Sequence, residues 1–139
     1  MDKRNQVTFW ALVGVFVIVI SVYLIPVARE LVLEAAFFLG AGVAFLLLGA
    51  LLIYFTLKGK MRGLLKKFLL ITGASAVGIP LSIILHNIVY SIFIHFFGEN
   101  FWERIGTSDE PVFFVLATIV CPLAFLAGAI GSIVLKFKR

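Results

Sequence analysis

Four apolar runs dominate the chain, from Val7 to Ile25, Leu31 to Leu57, Leu64 to Phe97 and Val112 to Leu135, separated by short polar stretches. About 20 apolar residues suffice for a helix to cross a bilayer. In hydrocarbon every backbone N–H and C=O must be satisfied within its own helix or a closed barrel, and none of these runs alternates as barrel strands do. The pattern predicts an all-α membrane protein: one transmembrane domain over residues 1–139, folded as a four-helix bundle.

The breaks carry helix stop and start signals. Pro26 is followed by Arg29 and Glu30, a Lys58-Gly59-Lys60-Met61-Arg62-Gly63 turn divides the second run from the third, and a polar stretch runs from Gly98 to Glu110. Thr107 and Glu110 have capping-box spacing, which starts the fourth helix near them with Pro111 in its first turn. The third run is too long for a simple span, since Leu64 to Phe97 makes a helix of roughly 50 Å against a hydrocarbon layer of about 30 Å. It has to tilt, kink or project. Pro80 frees the carbonyl of Ala76 and Pro122 that of Thr118, so kinks are expected at both prolines.

Composition narrows the class further. With 63% hydrophobic and 14% charged residues and a mean hydropathy of +1.17, the chain cannot cover a water-soluble core, and its length leaves no room for a soluble catalytic domain. The first run is longer than a signal-peptide core and has no small-residue cleavage site after it, so it is expected to remain as a span.

The net charge of +5 suggests nucleic acid only until the basic residues are placed. Lys3, Arg4, Lys58, Lys60, Arg62, Lys66, Lys67, Lys136, Lys138 and Arg139 fall on one side of a four-span chain, leaving Arg29 and Arg104 on the other. Basic loops stay inside, so both termini are expected in the cytoplasm, in a multi-pass protein of the cell membrane with no nucleic-acid partner. The basic flanks also suit anionic lipid headgroups. Of the acidic residues, all but Asp2 fall on the outer side.

The fourth helix has a close-packing face. Ala124, Gly128 and Ser132 repeat the small-xxx-small spacing that lets helix backbones approach, within the bundle or between protomers. The third helix has a polar stripe of Thr72, Ser75, Ser82, His86 and Tyr90, with Asn87 at its edge. His86 and Tyr90 are one turn apart, so imidazole and phenol could share a ligand, relay a proton or bond to each other. Glu30 and Glu34 are likewise one turn apart at the outer end of the second helix, and a carboxylate that close to hydrocarbon needs a partner. Convergence of Glu34 with His86, Asn87 and Tyr90 would make a polar pocket open to the outside.

Cofactor chemistry finds little support. Cys121 is the single cysteine, so no internal disulfide can form. His86 and His95 are nine residues apart, on opposite sides of their helix, and no metal site is expected. No protease, serine-nucleophile or nucleotide-phosphate signature is present. The packing faces favour a non-catalytic bundle that self-associates or joins a membrane partner protein, embedded in the lipid bilayer. The alternatives are a small channel or carrier using the polar stripe, and a membrane-embedded enzyme with an outward-facing His/Glu/Tyr pocket.

Overall fold

The computed structural model describes residues 1–32 and 35–138, with the backbone alone for Leu31 and Val32. Among them the chain is helical throughout: α1 Lys3–Leu24, α2 Pro26–Val32, α3 Ala35–Lys58, α4 Gly63–Phe97, α5 Phe101–Arg104, α6 Pro111–Val115, a π turn over Leu116–Val120, and α7 Cys121–Phe137. Four helical stretches are long and apolar enough to cross a membrane: α1, α3, α4, and α6 continued through the π turn into α7. Of the second apolar run, Leu31 and Val32 are the last residues given for α2, and the described part of the spanning helix runs from Ala35.

Two helix starts show local sequence at work. Glu110, not Thr107, is the N-cap of α6, and its carboxylate accepts from the N–H groups of Val112 and Phe113. The expected capping box is therefore corrected: the Thr107 hydroxyl donates to the Trp102 carbonyl instead. Pro111 decides this, because a helix starting at Thr107 would put proline where an N–H must return to the cap carbonyl. At N1 the missing N–H costs nothing. Further along, Pro122 cannot donate to Thr118, and the turn before it widens so that the Cys121 N–H reaches the Leu116 carbonyl five residues back. At Pro80, by contrast, α4 runs through without a break.

The core is built on aromatic and aliphatic side chains from all four spans. Phe16 of α1 stacks on Phe125 of α7 at 4.4 Å, and Phe45 of α3 packs edge-on against both rings. Leu12, Leu52, Leu65, Leu69 and Ala76 complete the buried cluster. Helices α3 and α4 cross at glycine. A Cβ on Gly73 would lie 3.0 Å from the Gly49 carbonyl oxygen and 2.8 Å from Ile53 Cγ1, so only hydrogen at both positions allows this approach. Large apolar side chains elsewhere, such as Val17, Ile18, Leu47, Leu51, Ile84 and Ile88, point outward, as a lipid-facing surface requires.

One end of the bundle gathers the amino terminus, the α3–α4 loop and the end of α7. The buried Asn5 amide donates to the Phe55 carbonyl at 3.3 Å and accepts from Thr56 at 3.3 Å, while the Lys136 ammonium lies 5.9 Å from the centre of the Trp10 ring.

Candidate functional site

The polar stripe of α4 faces α7, and the two form one antiparallel seam. Along it Gly131 lies against Phe68, Gly128 against Thr72, Cys121 against Gly78, and Phe114 against His86. A Cβ on Gly128 would meet Thr72 Oγ1 at 2.6 Å, Thr72 N at 2.8 Å and the Phe68 carbonyl at 3.0 Å. The small residues of α7 thus receive the stripe of α4, with Ser132 buried further along the same helix and Ala124 half-buried beside it. Thr72, Ser75 and Ser82 are all buried. The Thr72 hydroxyl bonds back to the Phe68 carbonyl at 2.9 Å, which satisfies it without water or ligand.

At the end of the seam away from the chain termini, the stripe reaches a histidine held by two neighbouring carboxylates. His86 Nδ1 is 3.2 Å from Glu110 Oε2, and Nε2 is 3.4 Å from Asp109 Oδ1. Glu110 is the more enclosed, its side chain only 4% exposed. Its two oxygens also accept from Val112 N at 2.8 Å and Phe113 N at 2.9 Å. The carboxylate therefore lies at the positive end of a helix, with two backbone donors and an imidazole around it, which is what an enclosed carboxylate needs. Asp109 Oδ1 accepts the Glu110 N–H at 2.8 Å, tying the pair together.

An aromatic cluster packs on one face of the remainder of α4, leaving Ile92, Phe96 and Phe97 exposed. Tyr90 stacks on Trp102 with ring centres 5.9 Å apart and planes 5° from parallel. Phe93 packs on Phe101 at 5.0 Å and Trp102 at 5.4 Å. Trp102 is buried in this cluster, and its indole N–H finds no partner among the described residues. The excess length of the third run is resolved here: beyond His86, residues 87–97 extend α4 by roughly 16 Å, and α5 folds back against that projection.

The expected outer pocket can now be compared residue by residue. His86 and Tyr90 are neighbours, with ring centres 6.4 Å apart. Asn87 is exposed and donates to its own helix at the Ile83 carbonyl. Glu30 is exposed on α2, and Glu34 lies outside the described residues. Sequence reasoning did not anticipate Asp109, Glu110 and Phe114 as the groups around His86, or Trp102 as the ring on Tyr90. The available signal was an acidic residue immediately before a proline at a helix start.

No family model matches the chain, and neither a curated protein nor a solved structure is significantly similar to it. The described residues hold no group of three or more His, Cys, Asp or Glu side chains arranged for a metal ion. Function therefore has to be argued from geometry: a bundle whose polar stripe is engaged internally, and whose histidine fastens the loop before α6 to α4.

Proposed function

We propose that this protein is a non-catalytic membrane bundle that works by associating with a second copy of itself, its basic end facing the cytoplasm. The observation that carries this reading is the internal engagement of the α4 stripe. A channel or carrier needs Ser75 and Ser82 to meet water, whereas both are buried against neighbouring helices. An outward-facing enzyme needs a histidine nitrogen free to move a proton, whereas both nitrogens of His86 face carboxylates, one of which is already the cap of α6.

The association surface is a second ridge of small residues. Ala36, Gly40 and Ala44 repeat at four-residue spacing on α3, and a Cβ on Gly40 would meet nothing within 4 Å. The ridge borders a cavity of about 330 Å³ open between α1 and α3, lined also by Val15, Ile18 and Val19. The α7 ridge is filled by α4; the α3 ridge is left unfilled by its own chain. Small-xxx-small ridges pack on identical ridges about a two-fold axis, which makes a second copy the fitting occupant.

The test is the mass of the purified protein in detergent or nanodiscs. Gly40→Leu should shift a dimer to monomer without loss of helix content, because the added side chain enters open space in the single chain. Gly128→Leu should damage the fold itself. A wild-type protein that is monomeric at all concentrations, or a Gly40→Leu variant with unchanged mass, would refute the reading.

A further inference from the structure

The basic end of the bundle holds a built concavity. Where the α3–α4 loop passes the amino terminus it leaves a cavity of about 600 Å³ whose wall includes Asp2, Asn5, Lys58, Lys60 and Arg62. On its other flank the same loop borders a second cavity of about 610 Å³, lined by Lys60, Arg62 and Lys66. Lys60 and Arg62 therefore stand between two hollows, each large enough for a phosphate-bearing headgroup.

The charges around these hollows are not neutralised by the protein. Among the described residues no carboxylate lies within ion-pair distance of Lys58, Lys60, Arg62 or Lys66, and Asp2 is engaged with Arg4 at 3.4 Å. Lys58 is partly occupied, donating to the Tyr54 hydroxyl at 3.0 Å. That leaves Lys60, Arg62 and Lys66 as three cations converging on shared space. The first turn of α4 adds the same sign of field, having no acidic residue and no side-chain cap.

The wall is fixed rather than loose. Asn5 is fully buried and tied to Phe55 and Thr56. Gly59 sits so close to the end of α3 that a Cβ there would be 2.9 Å from the Phe55 carbonyl. The position is equally specific: α3 ends at Lys58 and α4 begins at Gly63, so the hollows open where two spans leave the hydrocarbon, at headgroup depth.

We propose that Lys60, Arg62 and Lys66 bind the phosphate of an anionic phospholipid headgroup at the rim between α3 and α4. The guanidinium supplies paired donors to phosphate oxygens, and the two ammonium groups close the charge from either side. The lipid's acyl chains run down the outer faces of α3 and α4 beside exposed Leu57 and Leu64.

Native mass spectrometry of the full chain in mild detergent tests this directly, using phosphatidylglycerol and phosphatidylcholine as probes. The wild type should retain phosphatidylglycerol over phosphatidylcholine. The triple variant Lys60→Gln, Arg62→Gln, Lys66→Gln should lose that preference by at least about tenfold, since three juxtamembrane cations are removed. The control triple Lys3→Gln, Lys136→Gln, Lys138→Gln removes equal charge from the same end and should keep it. Lys60 and Arg62 are exposed and Lys66 is half-buried at the rim, none of them in the core, and circular dichroism should show the helix content of the first triple unchanged. Equal loss in both triples would mean diffuse attraction and overturn the site, as would equal retention of the two lipids. Displacement of phosphatidylglycerol by inorganic phosphate at matching concentration would reassign the site to a soluble anion and overturn the lipid proposal.

Discussion

Removing the Glu110 carboxylate should loosen the half of the bundle away from the chain termini, and the structure sets the size of the effect. In Glu110→Ala the N–H groups of Val112 and Phe113 lose their acceptor, a loss of about 1 kcal/mol for an N-cap, with roughly 0.5 kcal/mol more for the lost charge at a helix N-terminus. His86, whose side chain is 16% exposed, keeps only the more exposed Asp109, and weakening its polar contacts costs about 1 kcal/mol more. The total is roughly 2–3 kcal/mol. Glu110→Gln, which keeps one amide oxygen for the backbone donors, should cost about half of that. The assay is equilibrium unfolding in mixed micelles with increasing SDS, run also on His86→Gln and on the His86→Gln, Glu110→Gln double variant. Because the two side chains touch, the double variant should lose less than the sum of the singles, by about 1 kcal/mol. The enclosure of Glu110 should also leave this coupling nearly unchanged between low and high salt. Strictly additive losses, or a Glu110→Ala variant as stable as the parent, would refute the view that this contact fastens the outer loop to α4.

Two further substitutions probe the packing. Trp102→Phe should cost less than 1 kcal/mol or stabilise slightly, because the indole N–H is buried without a partner and its removal ends that penalty, whereas Trp102→Ala should cost about 3–5 kcal/mol through the cavity left among Tyr90, Phe93 and Phe101; the same SDS titration distinguishes them. Gly73→Ala should destabilise by about 1–3 kcal/mol, since its methyl would enter space held by Ile53 Cγ1 and the Gly49 carbonyl, while Gly14→Ala, with nothing within 4 Å of the new carbon, should be neutral or slightly stabilising.

The spans were legible because hydropathy is a property of each residue read in order, and the bilayer demands long uninterrupted runs. Both halves of the α4–α7 seam were also visible: the stripe of Thr72, Ser75, Ser82 and His86, and the small face of Gly128 and Ser132. What the sequence did not disclose was that each half is the other's partner, because helical periodicity assigns faces but not neighbours. The same limit applies to His86. Its reading looked for charge near the end of the second helix, at Glu34, whereas among the described residues the carboxylates beside it come from the loop before α6, brought there by a fold-back that no local pattern encodes. The capping error has a different origin. The Thr107–Glu110 spacing and the Pro111 position compete, and the proline wins because a missing N–H is free of cost only at the first helical positions. The surplus length of the third run was read as a problem to be resolved by tilt, kink or projection; in the structure α4 runs on to Phe97, with Tyr90 and Phe93 on one face packed against Phe101 and Trp102.

In the proposed dimer α3 presents its unfilled ridge to a second copy, while the α7 ridge is filled by α4. Disulfide cross-linking in native membranes measures this with one oxidation step. In a Cys121→Ala background, Gly40→Cys should give a covalent dimer on mild oxidation, because the two ridges bring identical positions within disulfide reach. Thr118→Cys, exposed on the lipid-facing side of the π turn, should remain monomeric under the same conditions. A Gly40→Cys protein that stays monomeric, or equal cross-linking at both positions, would contradict the account.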